Sequence, residues 1–207
     1  MEEKKISEKE SLEIITEMIS RTKERYIGDG NIMLMWGYLT VSVAALVWVM
    51  LILTHNPAWN WLWFAIGVVG GILTPILDRR QRHRNGVKSY SDTFTSRIWT
   101  MVGVSFIIAT FLCLGFLLIG GVDSWTTMLL LAVMIVPLIE IVQGIMLSEK
   151  SLQVGGWVGL VVGIVTTCCI TGKLPLNTAW FMPMFIVAFA AMMIVPGHIL
   201  NAKSRRK

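Results

Sequence analysis

WTTMLLLAVMIVPLIEIVQGIML, residues 125–147, is long enough to cross a bilayer as a helix and carries a single acid, Glu140. About 20 apolar residues at 1.5 Å rise match the roughly 30 Å of hydrocarbon in a membrane. Five further apolar stretches surround this one, and none holds a carboxylate in its interior. The expected spans are 32–54, 59–77, 98–119, 125–147, 154–171 and 179–200. In lipid the backbone must satisfy its own hydrogen bonds, so only helices or a closed barrel can cross, and these runs lack the polar alternation of barrel strands. The sequence reads as an all-α integral membrane protein with six transmembrane helices.

Composition agrees. Hydrophobic residues make up 55% of 207 and charged residues 15%, with a mean hydropathy of +0.67, against about 45–50% and about 25% in soluble domains. The net charge of +5 and pI near 9.3 do not point to nucleic acid, because the Lys and Arg residues sit between the spans and no folded module presents them. The opening MEEKKISEKESLE lacks the basic start and apolar core of a secretory signal, so the first span is expected to act as the anchor. Cys113, Cys168 and Cys169 all lie inside apolar runs and read as small packing residues. No disulfide framework is expected.

Three regions follow: a polar head (1–31), a six-helix membrane domain (32–200) and a basic tail (201–207). In the head, Ser7 and Glu10 form a capping-box pattern. Leu12, Ile15 and Ile19 then share a stripe of an amphipathic helix. That helix is expected to end near Gly28, with Asn31 capping the next. Its charged residues nearly cancel, which favours a cytoplasmic protein or a second copy over anionic lipid as its partner; a solvated helix packed on its own membrane domain fits the same pattern. Orientation follows from the basic residues. Six crossings put 17 of the 18 Lys and Arg on the side of both termini, leaving Lys173 opposite. Both termini are therefore expected in the cytoplasm. Arg79, Arg80, Arg82 and Arg84 open the connection 78–97, where they set topology and can contact lipid head groups.

Tryptophan recurs near the span ends, with Trp36, Trp99 and Trp157 on the odd spans and Trp59, Trp125 and Trp180 on the even ones. The depth suits amphipathic indoles. The even spans also carry Pro75, Pro137 and Pro196, and Met-Ile-Val-Pro occurs twice, at 134–137 and 193–196. Three pseudo-repeated antiparallel hairpins of about 60 residues would produce this pattern. Aromatic belts on six unrelated spans would produce much of it too.

Glu140 shares a helix face with Pro137, Gln143 and Gly144. It lies seven residues from Leu147, about 10 Å inside the boundary. A bare carboxylate at the bilayer centre costs about 2.5–3.5 kcal/mol, so Glu140 must face the bundle, take up a proton or find a partner. Pro137 also leaves the carbonyl of Val133 without its i−4 donor. In the fifth span Gly155, Gly159 and Gly163 form a small-residue ridge for close helix approach. His198 comes level with Glu140 when the two Met-Ile-Val-Pro strings are aligned, making it a candidate partner. Two readings of Glu140 stand side by side: a proton or cation site, and a hydrogen-bonded acid that fixes helix register.

The sequence carries no HExxH, GxSxG or GxxxxGK[ST] pattern and no carboxylates at metal-ligand spacing. The chain is expected to be non-enzymatic, without metal or cofactor. The stretch Glu10-Ser11-Leu12, Met18-Ile19 and then 28–38, GDGNIMLMWGY, resembles the start of a group of small bacterial multispan membrane proteins. The resemblance covers about 50 residues. It implies a bacterial inner membrane and assigns no activity. The leading expectation is a sensor, scaffold or regulatory partner acting through its N-terminal helix. The alternative is a small proton- or cation-linked transporter or channel using Glu140.

Overall fold

A computed structural model of the chain describes residues 12–14, 16, 30–85 and 90–205, with side chains except at 81–85, 90–92 and 205. The described secondary structure is helical, and six stretches are long and apolar enough to cross a membrane. The chain is a multi-pass membrane protein. Helix α1 runs Asn31–Thr54, and a 3-10 turn, Pro57–Leu62, leads into α2, Trp63–Asn85. Helices α3, Tyr90–Gly120, α4, Thr126–Met146, and α5, Lys150–Thr171, follow. The sixth span contains α6, Thr178–Phe189, a π-helical turn, Ala190–Ile194, and α7, Val195–Arg205.

Six crossings place residues 30, 85, 90, 147–149 and 205 at one end of the bundle, called the basic end below. The closest packing is between α4 and α5. The sixth span lies against both α5 and α1, while α2 packs chiefly on α1 and α3 chiefly on α4. Four spans therefore form a kernel and two flank it. Only 6% and 17% of the apolar windows of the second and third spans are buried, against 39% for the sixth, so the flanking pair presents most of its surface outward.

Several ends differ from the sequence reading. The first two turns after Leu77 stay helical as far as Asn85, so the arginines expected in a connection sit on the end of α2; Arg79 and Arg80 are exposed there. Arginine and glutamine are good helix formers, and the first breaker is Gly86. Asn31 is the first helical residue rather than a cap, and its Oδ1 accepts a 2.8 Å bond from Asn201 Nδ2. Of the amphipathic head, Leu12–Ile14 and Thr16 are helical, and Thr16 Oγ1 donates to Leu12 O at 2.7 Å. Ser7, Glu10, Ile15, Ile19 and Gly28 lie outside the described residues.

Two of the tryptophans near span ends bind neighbouring helices. Trp36 Nε1 donates to Thr74 Oγ1 at 3.0 Å, joining α1 to α2, and Trp99 Nε1 donates to Gln143 Oε1 at 3.0 Å, joining α3 to α4. In the first pair the Trp36 ring lies flat in the space left by Gly70, where an added methyl would stand 2.7 Å from Cζ2. At the opposite end Trp125 packs edge-on against Phe64, with ring centroids 5.3 Å apart, and Trp61 closes the group.

Helices α4 and α5 meet through a tight connection. Ser148 adopts φ 55°, Glu149 N–H donates to Gly144 O at 2.9 Å and Ser148 N–H to Ile145 O at 3.1 Å. This is a Schellman motif with serine in the left-handed position usually taken by glycine. Lys173 ends α5 the same way, at φ 55° with Leu174 N–H on Cys169 O and its own N–H on Ile170 O.

Candidate functional site

Contacts between α4 and α5 run like rungs. An added Cβ at Gly144 would meet Gln153 and Leu152, at Gly156 Ile141 and the Pro137 carbonyl, at Gly159 the Pro137 ring, and at Gly163 the backbone of Val133. Such approach is open only to glycine, and it places Glu140 level with Gly156. The sixth span reaches the same level. A methyl at Gly159 would stand 2.6 Å from Met192 Sδ and 3.0 Å from Pro137 Cγ, and one at Gly155 would stand 3.1 Å from Met192 O. Three helices thus converge beside Glu140, and the π-helical turn lies at its depth.

The expected glycine ridge does not serve one neighbour. Each i to i+4 step on a helix overshoots a full turn by about 40°, so the row rotates across the surface. Gly155 faces the sixth span, Gly159 lies between the fourth and sixth, and Gly163 faces α4. Gly156, absent from the spacing pattern, completes the α4 contact. Its signal was the Gly155-Gly156 pair itself.

Two of the proline defects, at Pro137 and Pro196, are covered by glycines of α5. Pro137 cannot donate to Val133 O, and the bare face of Gly163 sits over that carbonyl. Pro196 cannot donate to Met192 O, and Gly155 sits over that oxygen and the carbonyl of Ala191. One helix therefore seals two weakened backbones. Room for two such crossings comes from the absence of Cβ atoms on α5.

Glu140 is 0% exposed, and neither carboxyl oxygen has a hydrogen-bond partner. Polar atoms buried without partners are uncommon in folded proteins, since each forfeits its interaction with water. The residues proposed to accompany it go elsewhere. His198 is exposed on α7, and its Nε2 lies 2.7 Å from Tyr38 Oη on α1. Gln143 turns toward α3 to accept from Trp99. Beside that bond is a cavity of about 10 Å³, enough for one water, lined by Thr95, Ile98, Trp99, Ile139 and Gln143. Glu140 does not line it.

Nor do other ionisable groups gather there. Among the described residues no three His, Cys, Asp or Glu side chains come together. Glu149, at the head of α5, is 6% exposed and forms an ion pair with Lys203 of α7. Of the stripe Leu12, Ile15 and Ile19, only Leu12 is among the described residues, and it is 64% exposed. No protein-family model, curated protein or solved structure matches this chain.

Proposed function

We propose that the chain is a small proton-linked transport protein of the membrane, with Glu140 as the group that takes and releases the proton. One observation carries this reading: a fully buried carboxyl, level with a π-helical turn, whose two oxygens are unpartnered. Ionisable side chains inside membrane domains mark proton and ion paths by default, and π-helical turns recur at functional sites. A glutamate that only fixed helix register would be hydrogen-bonded across the interface. A hard metal cation would need about six oxygen ligands, whereas a proton needs only the carboxyl.

The basic residues gathered at one end support placing both termini in the cytoplasm, and the resemblance over about the first 50 residues supports the inner membrane of a bacterium. Three antiparallel hairpins are supported by the recurring Trp and Pro positions of the even spans, although the closest packing, α4 on α5, joins two hairpins. The test is proton movement in reconstituted vesicles with a trapped pH dye, driven by an imposed potassium diffusion potential. Wild type should acidify the lumen, and Glu140→Gln should abolish this while eluting as a folded protein. Equal flux in the two proteins would overturn the assignment, as would a wild type that moves sodium but no protons.

A second reading rests on Leu12 and Ile14, which are 64% and 43% exposed. Exposed apolar side chains on a polar head suit a cytoplasmic protein partner or a second copy, making the chain a sensor or scaffold. Ile15→Lys with Ile19→Lys should then abolish crosslinking of the head in membranes. Unchanged crosslinking would reject it.

A further inference from the structure

We infer that α7 is a hinged gate that shuts the basic end over Glu140, latched by the Glu149–Lys203 ion pair; the inference rests on the reading of Glu140 as a proton site. The hinge is visible in the backbone. The π-helical turn Ala190–Ile194 is followed, one residue on, by Pro196-Gly197, where proline removes one helical donor and the next residue has no side chain to resist bending. Gly197 also permits the closest backbone approach to α1: a methyl there would meet Leu34 at 2.8 Å and Gly30 O at 3.4 Å.

Beyond the hinge, α7 is held on two sides. His198 and Asn201, three apart and so on one face, bond to Tyr38 and Asn31 of α1 at 2.7 and 2.8 Å. Lys203 lies roughly 140° round the helix from His198 and reaches Glu149 at the α4–α5 connection. Leu200 and Pro196 are buried, so the helix also seals by packing. The two halves of the latch differ in character. Glu149 is fixed by the Schellman motif and is 7% exposed, whereas Lys203 is 47% exposed on a flexible stem. The mobile partner therefore belongs to the gate and the fixed one to the α4–α5 connection.

Opening would lift α7 from α5 on the basic side of Gly155, leaving the Glu140 level reachable by water from that end. The polar bonds holding α7 are few and partly exposed, so their loss shifts an equilibrium without unfolding the kernel.

The experiment is carboxyl modification of the whole protein in vesicles by a water-soluble carbodiimide and an amine, read by mass spectrometry. Asp123, exposed at the opposite end, supplies the reference. In Glu149→Gln and in Lys203→Ala the ratio of Glu140 to Asp123 modification should rise about fivefold, the scale on which one partly exposed ion pair shifts an opening equilibrium. The charge-swapped pair Glu149→Lys with Lys203→Glu should return it to the wild-type value, which separates latching from misfolding. An unchanged ratio in both single variants, or no recovery in the swap, would overturn the gate. Labelling does not depend on flux. A gate that responds in a protein moving no protons would therefore reject the transport reading and keep the gate.

Discussion

Adding one methyl group to α5 tests the way the kernel is sealed. Gly163→Ala places a carbon against the carbonyl of Val133, 2.9 Å from its carbon and 3.0 Å from Met134 Sδ. The sulfur can move, but the helix backbone cannot without parting α4 from α5. Overpacking of this kind costs about 1–3 kcal/mol, equivalent to a melting temperature lowered by roughly 2–10 °C in a chain of this size. Gly71→Ala is the control. Nothing lies within 4 Å of its new carbon, so only the helix preference for alanine acts, about 0.5–1 kcal/mol in the stabilising direction. Thermal unfolding in detergent, followed by the emission of the nine tryptophans, would separate the pair. If Gly163→Ala melted at or above wild type, the claim that α5 covers the Pro137 defect by close approach would be wrong.

Other outcomes follow from the same contacts. Glu140→Leu should melt at or above wild type, because it removes a buried polar group that has no partner to lose; a drop of several degrees would reveal hidden hydrogen bonding. Trp99→Phe should cost about 0.5–1.5 kcal/mol by deleting the bond to Gln143, visible as faster proteolysis of the α3 flank, and a Gln143→Leu background should remove most of the difference. Ser148→Gly should stabilise by about 0.5–1 kcal/mol, since serine holds the left-handed position at φ 55°. An unchanged melting temperature would show that strain there is absent.

The spans were legible because apolar length is a one-dimensional property: a run of about 20 residues leaves the backbone no alternative to a helix. Glu140 could be singled out for the same reason, as the lone acid in such a run. Its surroundings were not legible, because they depend on angle about a helix axis as well as depth along it. His198 follows Pro196 by two residues, whereas Glu140 follows Pro137 by three. The extra residue turns the side chain by about 100°, enough to send His198 to Tyr38. The two Met-Ile-Val-Pro strings also differ in backbone, since the second begins inside the π-helical turn and the first is α-helical throughout. Identical letters therefore give different directions. The tryptophans show the same limit: an indole near a span end suits the head groups, and which neighbour, Thr74 or Gln143, takes its N–H is not written in that position. That choice depends on which helices are adjacent.

The junction of Asn31 with Asn201, separated by 170 positions, bears on biosynthesis. At about 5–20 residues per second, translation of the intervening chain takes on the order of 10–30 s. For most of that time α1 can lie beside α2, yet its other face, with Gly37 shaped to receive Met193 and Ile194, has nothing to receive. The kernel can close only when the sixth span arrives. A ribosome-bound intermediate lacking that span should hold α1 and α2 as a pair while exposing Gly37 to lipid or an insertion chaperone.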